Sequence, residues 1–211
     1  MIDKKLHLLA LVFFVHSCSF VSFSDAIPLF KSAILEPPKV VISKEEFEAR
    51  SFSFIIAQFE DGPGAIMTLS NVAENGVLEW VSADNQLIYT RNGKVISTYG
   101  LLHDFQYLNW SGSSWETEEQ YPLKRLVSLK NPDAVVEHDV FLESLPAENI
   151  YVQFEEIAIT SILKETVKIE LLNWQAENYY WLDERGLVKK TIQTLNPKMT
   201  PLTIEFFYIW K

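Results

Sequence analysis

The sequence has 211 residues, of which 48% are hydrophobic, 13% aromatic and 22% charged. This composition is typical of globular proteins and excludes a disordered or fibrous chain. The length predicts one domain that can bury a sizeable core. Acidic side chains outnumber basic ones by 28 to 18, which gives a formal charge of −10. The sequence therefore lacks the basic surface with which proteins bind nucleic acids, and we predict no nucleic-acid partner.

The first 26 residues have the pattern of a secretory signal. Lys4 and Lys5 precede an apolar run over residues 6–15, which is shorter than the roughly 20 residues needed to span a bilayer. The run leads into Val15-His16-Ser17-Cys18, where an aliphatic residue at −3 and a small one at −1 resemble the lipobox of bacterial lipoproteins, although a histidine at −2 is untypical. We predict a lipoprotein signal over residues 1–17, lipidation of Cys18 and a tether over residues 18–24.

An ordinary signal cleaved after Ala26, with Ser24 at −3, is the alternative and would give a soluble periplasmic protein. Cys18 is the only cysteine, so neither a disulfide nor cysteine-ligated zinc can stabilise the exported body. Removal of residues 1–17 changes the formal charge from −10 to −11. Attachment to a membrane would therefore depend on acyl chains at Cys18 rather than on basic residues.

Two short helices are predicted before a series of strands. The first extends from a cap at Asp25 to Leu35, and the second begins at Ser43, where Glu46 completes a capping box. Asn92-Gly93 lies between two β-rich runs, residues 87–91 and 94–98, and predicts a two-residue hairpin because both residues tolerate positive φ. Further strands are predicted around this hairpin at residues 51–59, 65–72 and 77–83.

The second half continues the strand pattern. Strands are predicted at residues 123–129, 135–143, 151–159, 166–173, 179–183, 187–195 and 202–210, with Lys164-Glu165 as one of the separators. The last strand alternates Leu202, Ile204 and Phe206 with a second, partly apolar face. We therefore predict a mainly β, single domain over residues 25–211, an antiparallel sheet of about ten strands curled toward a barrel or half-barrel.

The sequence contains little that could support catalysis. His103 and His138 are the only histidines of the exported body, and we place one in a loop and one on a strand surface. No nucleophile elbow, phosphate-binding loop, dinucleotide fingerprint or zincin motif occurs. Acidic neighbours such as Glu155-Glu156 point to opposite faces of a strand, which is unsuited to a paired-carboxylate glycosidase. We predict no catalytic residue, no metal site and no cofactor.

Tryptophan is the residue type with the clearest binding potential. Four of the six tryptophans fall on or directly next to predicted strands and are expected in the core: Trp80, Trp174, Trp181 and Trp210. Trp110 and Trp115 flank a polar Ser/Gly segment instead. A loop of this kind can present indole rings to solvent, so we predict these two as a glycan-binding platform.

Several short motifs follow one another along residues 25–210. They are Trp80-Val81-Ser82-Ala83-Asp84-Asn85, residues 90–101, His103-Asp104, Trp115, Tyr180-Trp181-Leu182-Asp183 and Pro201-Leu202-Thr203-Ile204-Glu205-Phe206. In this order they resemble the YjbF/GfcB family of group 4 capsule polysaccharide lipoproteins. The resemblance implies an exported, β-rich lipoprotein of the outer membrane, facing the periplasm, that is encoded with capsule or exopolysaccharide secretion components. It implies no catalytic residues and carries only Cys18 over as a functional position.

Three functions remain open on the sequence. The first is a non-enzymatic outer-membrane lipoprotein that assists polysaccharide export or assembly by binding glycan or a protein of the export machinery. The second is a lipid or lipoprotein carrier whose curled sheet encloses an apolar cavity. The third is a carboxylate-dependent glycan hydrolase.

Overall fold

The computed structural model describes residues 39–109 and 122–209. These residues form one α-helix, α1 (Lys44–Glu48), one 3-10 helix (Glu170–Leu172) and fourteen strands. The strands are β1 (Phe54–Phe59), β2 (Gly64–Val72), β3 (Leu78–Val81), β4 (Leu87–Arg91), β5 (Lys94–Tyr99), β6 (Phe105–Tyr107), β7 (Leu123–Leu129), β8 (Ala134–Leu145), β9 (Asn149–Val152), β10 (Glu155–Ala158), β11 (Ser161–Ile169), β12 (Trp174–Leu182), β13 (Val188–Gln193) and β14 (Leu202–Phe207).

Twelve of the strands close into an antiparallel barrel in the order β1-β14-β13-β12-β11-β8-β7-β6-β5-β4-β3-β2, while β9 and β10 form a separate two-stranded sheet. The barrel closes because β1 pairs with β14, with Ile55 opposite Phe206. The mainly β prediction is confirmed, but the prediction of about ten strands and a possible half-barrel is wrong. The first and last strands are far apart in sequence, so no local pattern reveals their pairing.

The β4–β5 hairpin confirms the Asn-Gly prediction. Asn92 and Gly93 both have positive φ, 49° and 77°, as a type I′ turn requires. The tip of the hairpin also reaches into the barrel, because a Cβ added to Gly93 would lie 2.4 Å from the Val188 Cβ on β13. Glycine is therefore needed here for two reasons, its backbone conformation and its small size.

The second predicted helix is also confirmed, as α1. Ser43 is its N-cap, its hydroxyl accepts from the Glu46 amide at 3.1 Å, and the Glu46 carboxylate accepts from the Ser43 amide at 2.8 Å. The helix predicted from Asp25 to Leu35 lies outside the described residues.

An apolar cluster separate from the barrel interior lies on the outer face of β1 and β14. Phe54 and Phe207 stack there with centroids 4.7 Å apart and an interplanar angle of 8°. Phe47 of α1 and Val152 of β9 pack against them. The partly apolar second face predicted for the last strand is thus covered by α1 and the β9–β10 hairpin.

Several predicted boundaries in the second half are wrong. The run at residues 151–159 is divided into β9 and β10, which pair with each other outside the barrel. Lys164-Glu165, predicted as a separator, lies within β11. A charged dipeptide is normally a loop signal, but here Glu165 has a buried partner from β5 and so remains inside a strand.

Candidate functional site

Buried, mostly apolar side chains pack in the interior of the barrel in the part that the structure describes. Trp80 and Phe206 are fully buried and meet edge to face, with centroids 6.0 Å apart. The Trp80 indole N–H donates to the Thr90 hydroxyl at 2.8 Å, so the polar edge of the ring is satisfied. The expected core role of Trp80 is confirmed.

A polar network crosses this interior. Lys94 on β5 forms an ion pair with Glu165 on β11, and both side chains are at most 1% exposed. The second oxygen of Glu165 accepts from the Asn178 amide at 2.9 Å and lies 3.0 Å from the Tyr180 hydroxyl. Burial, and secondly the positive charge of Arg125, lower the pKa of Lys94 well below its ordinary value.

Gln193 fixes the hairpin tip to the same network. Its side-chain oxygen accepts from the Val95 amide at 3.0 Å, and its side-chain nitrogen donates to the Gly93 carbonyl at 3.2 Å. The Gln193 oxygen also lies 3.2 Å from the Tyr180 hydroxyl. Strands β5 and β13 are not neighbours in the barrel, so these bonds hold opposite parts of the wall together.

His138 was predicted on a strand surface, and this prediction is wrong. Its side chain is 2% exposed and lies inside the barrel among the rings of Phe105, Tyr107 and Trp174, with centroids 6.2–6.4 Å away. Neither ring nitrogen has a hydrogen-bond partner among the described residues. Burial, with a smaller contribution from Lys94, lowers the pKa of His138 to about 4. The imidazole is therefore a neutral core group at physiological pH rather than a surface base.

The other strand tryptophans divide between the core and the outer face. Trp174 is half-buried and packs against the buried apolar side chains of the barrel interior. Trp181 is half-buried on the outer face of β12, where its N–H donates to Glu148 at 2.9 Å, so its assignment to the core is wrong. Tyr179 lies beside it, with ring centroids 6.0 Å apart and an interplanar angle of 32°. Trp210 lies outside the described residues.

One end of the barrel has a cleft of about 560 Å³ lined by four strand connections. Its apolar wall includes Phe59, Leu101 and Met199, and its polar wall includes Gln86 and Lys198. This is within the size range of small-ligand sites. Nothing in the sequence identified the cleft, because its residues come from segments that are up to 141 positions apart.

His103 lies in this cleft, in the loop that was predicted for it. The next residue, Asp104, accepts from the Thr98 hydroxyl at 2.9 Å and from the Gly100 and Leu101 amides at 3.0 and 3.1 Å. Asp104 therefore shapes the β5–β6 loop, which is a structural role for the His-Asp pair.

Cys18, Trp110 and Trp115 lie outside the described residues, so their predicted roles remain predictions. Among residues 39–109 and 122–209 there is no group of three or more His, Cys, Asp and Glu side chains placed to hold a metal ion. The same residues contain no helix long and apolar enough to cross a membrane.

Comparison with known proteins identifies the family. The model of the family described as group 4 capsule polysaccharide lipoprotein GfcB, YjbF matches residues 28–207. The uncharacterized lipoprotein GfcB of Escherichia coli (strain K12) is 20% identical over 199 residues, which cover 88% of this chain and 89% of that protein.

The fold has a solved counterpart in the crystal structure of the hypothetical lipoprotein YmcC from Escherichia coli (K12). The two superpose with a TM-score of 0.66 at 18% identity, over 90% of this chain and 97% of that one. At this identity the likeness concerns the fold alone. The match of the family model over most of the sequence shows that the chain belongs to the GfcB/YjbF family of group 4 capsule polysaccharide lipoproteins.

Proposed function

We propose that this protein is a non-enzymatic lipoprotein of the outer membrane that faces the periplasm and assists the export or assembly of a capsule or exopolysaccharide. It does so by binding glycan or a protein of the export machinery. The observation that carries the proposal is the match of the capsule lipoprotein family to residues 28–207. Anchoring depends on acyl chains at Cys18, which follows a signal-sized apolar run.

The packing of large aromatic side chains in the interior supports contact through the outer surface. Trp80, Tyr180 and Phe206 are at most 1% exposed and occupy the centre of the barrel. A lipid carrier would need this space for acyl chains. The packing of the described residues therefore favours a binding protein over the carrier alternative.

Surface chemistry does not favour the hydrolase alternative. Glu155 and Glu156 are exposed neighbours on β10, one of the two strands outside the barrel. Neighbouring residues of a strand point to opposite faces, whereas the two carboxyl groups of a glycosidase flank one bond. Trp110 and Trp115 remain the proposed glycan platform.

The test measures binding of the producer's own polysaccharide to the mature protein in detergent. Replacement of Trp110 and Trp115 by alanine should weaken binding without changing the melting temperature, because exposed side chains contribute little to packing. The matched control is Tyr151→Ala, which removes an aromatic ring that is 70% exposed on β9. Equal binding by parent and double variant would contradict the platform.

Chain length of the polymer is measured in the same samples. A polymer that is bound and not shortened supports the binding function, whereas shortening would show that the protein is a hydrolase. Cys18→Ala should release the protein from the membrane fraction. An unmodified N-terminus at Ile27 would instead establish cleavage after Ala26.

A further inference from the structure

The cleft at the end of the barrel combines polar side chains that have no partner among residues 39–109 and 122–209. Gln86, His103 and Lys198 come from three different connections and line this one cleft. None of the three side chains makes a hydrogen bond or ion pair with the described residues. Polar groups that converge on a cavity without protein partners are available to a ligand.

Two carboxylates in the same lining are only partly engaged. One oxygen of Asp61 accepts from the Thr200 hydroxyl at 2.6 Å, and one oxygen of Asp84 accepts from the Ser82 hydroxyl at 2.6 Å. The other oxygen of each carboxylate has no bond to the described residues. Carboxylates can accept several hydrogen bonds, so both retain capacity for hydroxyl donors of a ligand.

The connections that hold these groups are fixed by side-chain caps. The Ser82 hydroxyl accepts from the Gln86 amide at 3.0 Å, and the Asn196 side chain accepts from the Lys198 amide at 2.9 Å. Asp104 fixes the loop that carries Leu101 and His103 in the same way. The lining is therefore preorganised, which reduces the entropic cost of binding.

The chemistry of the lining indicates the class of ligand. The lining contains both the positively charged Lys198 and the negatively charged Asp61 and Asp84. These groups lie beside an apolar wall that includes Phe59, Leu101 and Met199. A strongly charged ligand would meet groups of its own sign, whereas a sugar presents hydroxyl groups at its edge and an apolar C–H face. We propose that this cleft is a saccharide-binding site for a short stretch or an end of the exported polysaccharide. This inference rests on the proposed function and adds a second contact to it.

The test uses the mature protein in detergent and short oligosaccharides made by partial hydrolysis of the producer's own exopolysaccharide. Gln86→Ala and Lys198→Ala should each weaken binding by at least about three- to tenfold, which is the effect of losing one ordinary hydrogen bond. The double variant should lose more. The melting temperature should not change, because neither side chain bonds to another residue in the part of the chain that the structure describes.

The matched controls are Gln175→Ala on the exposed face of β12 and Lys44→Ala on α1. Both should bind like the parent. If the cleft variants bind as well as the parent while the Trp110 and Trp115 double variant does not, the cleft inference is overturned and the proposed function stands. If the parent binds no oligosaccharide, the cleft inference is again overturned, and only an export phenotype would support the proposed function, through a protein partner.

Discussion

Lys94 and Glu165 form an ion pair across the interior of the barrel, although their strands, β5 and β11, are separated in the wall by β6, β7 and β8. The pair stands 71 positions apart in the sequence. It brings the tip of the β4–β5 hairpin to the opposite wall, where Asn178 and Tyr180 complete the contacts of the carboxylate. The stability of the fold should therefore depend on the charge of Glu165.

Glu165→Gln should destabilise the protein by about 3–5 kcal/mol, because a buried ion pair that loses one partner leaves an uncompensated polar group. Urea unfolding of the parent and variant measures the difference. The matched control is Glu137→Gln, which removes an ion pair with Lys124 whose side chains are 54% and 58% exposed. This control should change stability by less than about 1 kcal/mol. Equal effects of the two variants would show that the interior pair does not hold the hairpin.

Gly93→Ala should be more destabilising than Gly186→Ala. Both glycines have positive φ, 77° and 72°, so each substitution carries a backbone strain of about 1–2 kcal/mol. A Cβ at Gly186 would meet nothing within 4 Å, whereas one at Gly93 would collide with Val188. Thermal unfolding of both variants separates the two effects. If they melt at the same temperature, the hairpin tip is not packed against β13.

The buried His138 predicts a loss of stability in acid. The unfolded chain takes up a proton on this histidine near pH 6.5, but the folded chain does so only near its pKa of about 4. Because the unfolded state binds more protons in this window, the free energy of unfolding falls as the pH falls from 6.5 to 4. The loss attributable to His138 should reach about 3 kcal/mol, at about 1.4 kcal/mol per pH unit.

His138→Leu should remove this contribution and leave stability at pH 7 equal to or above that of the parent, since it removes two buried nitrogens that have no partner in the described part of the chain. Carboxylates titrate in both proteins, so the difference between the two pH profiles measures the effect of His138. Parallel profiles from pH 6.5 to 4 would contradict a buried neutral imidazole at this position.

The local features of the fold were predictable from the sequence. The capping box at Ser43 and Glu46, the Asn92-Gly93 turn and the alternation of Leu202, Ile204 and Phe206 depend on neighbouring residues. Features that depend on distant partners were not. The Lys164-Glu165 pair reads as a loop in the sequence, because the buried partner of Glu165, Lys94, is distant in the sequence. For His138, the sequence has no signal that distinguishes a buried imidazole from an exposed one.

Among the candidate sites, too, those defined by neighbouring residues are predictable from the sequence and those built from distant residues are not. The lipidation of Cys18 is a prediction from a continuous motif. The cleft residues Gln86, His103 and Lys198 are separate polar residues in turns, and only the closure of the barrel places them around one space. The outer-face position of Trp181 likewise depends on the pairing register of β12 with β11 and β13. The alternation of residues within β12 alone does not say which face points outward.

The most direct test of the proposed function is the amount of polysaccharide that the producing bacterium releases with and without this protein. Deletion of the gene should lower the extracellular polymer, and the parent gene supplied in trans should restore it. Cys18→Ala should restore it poorly, because the protein would lose its membrane anchor. An unchanged amount of extracellular polysaccharide after deletion would contradict a role in export or assembly.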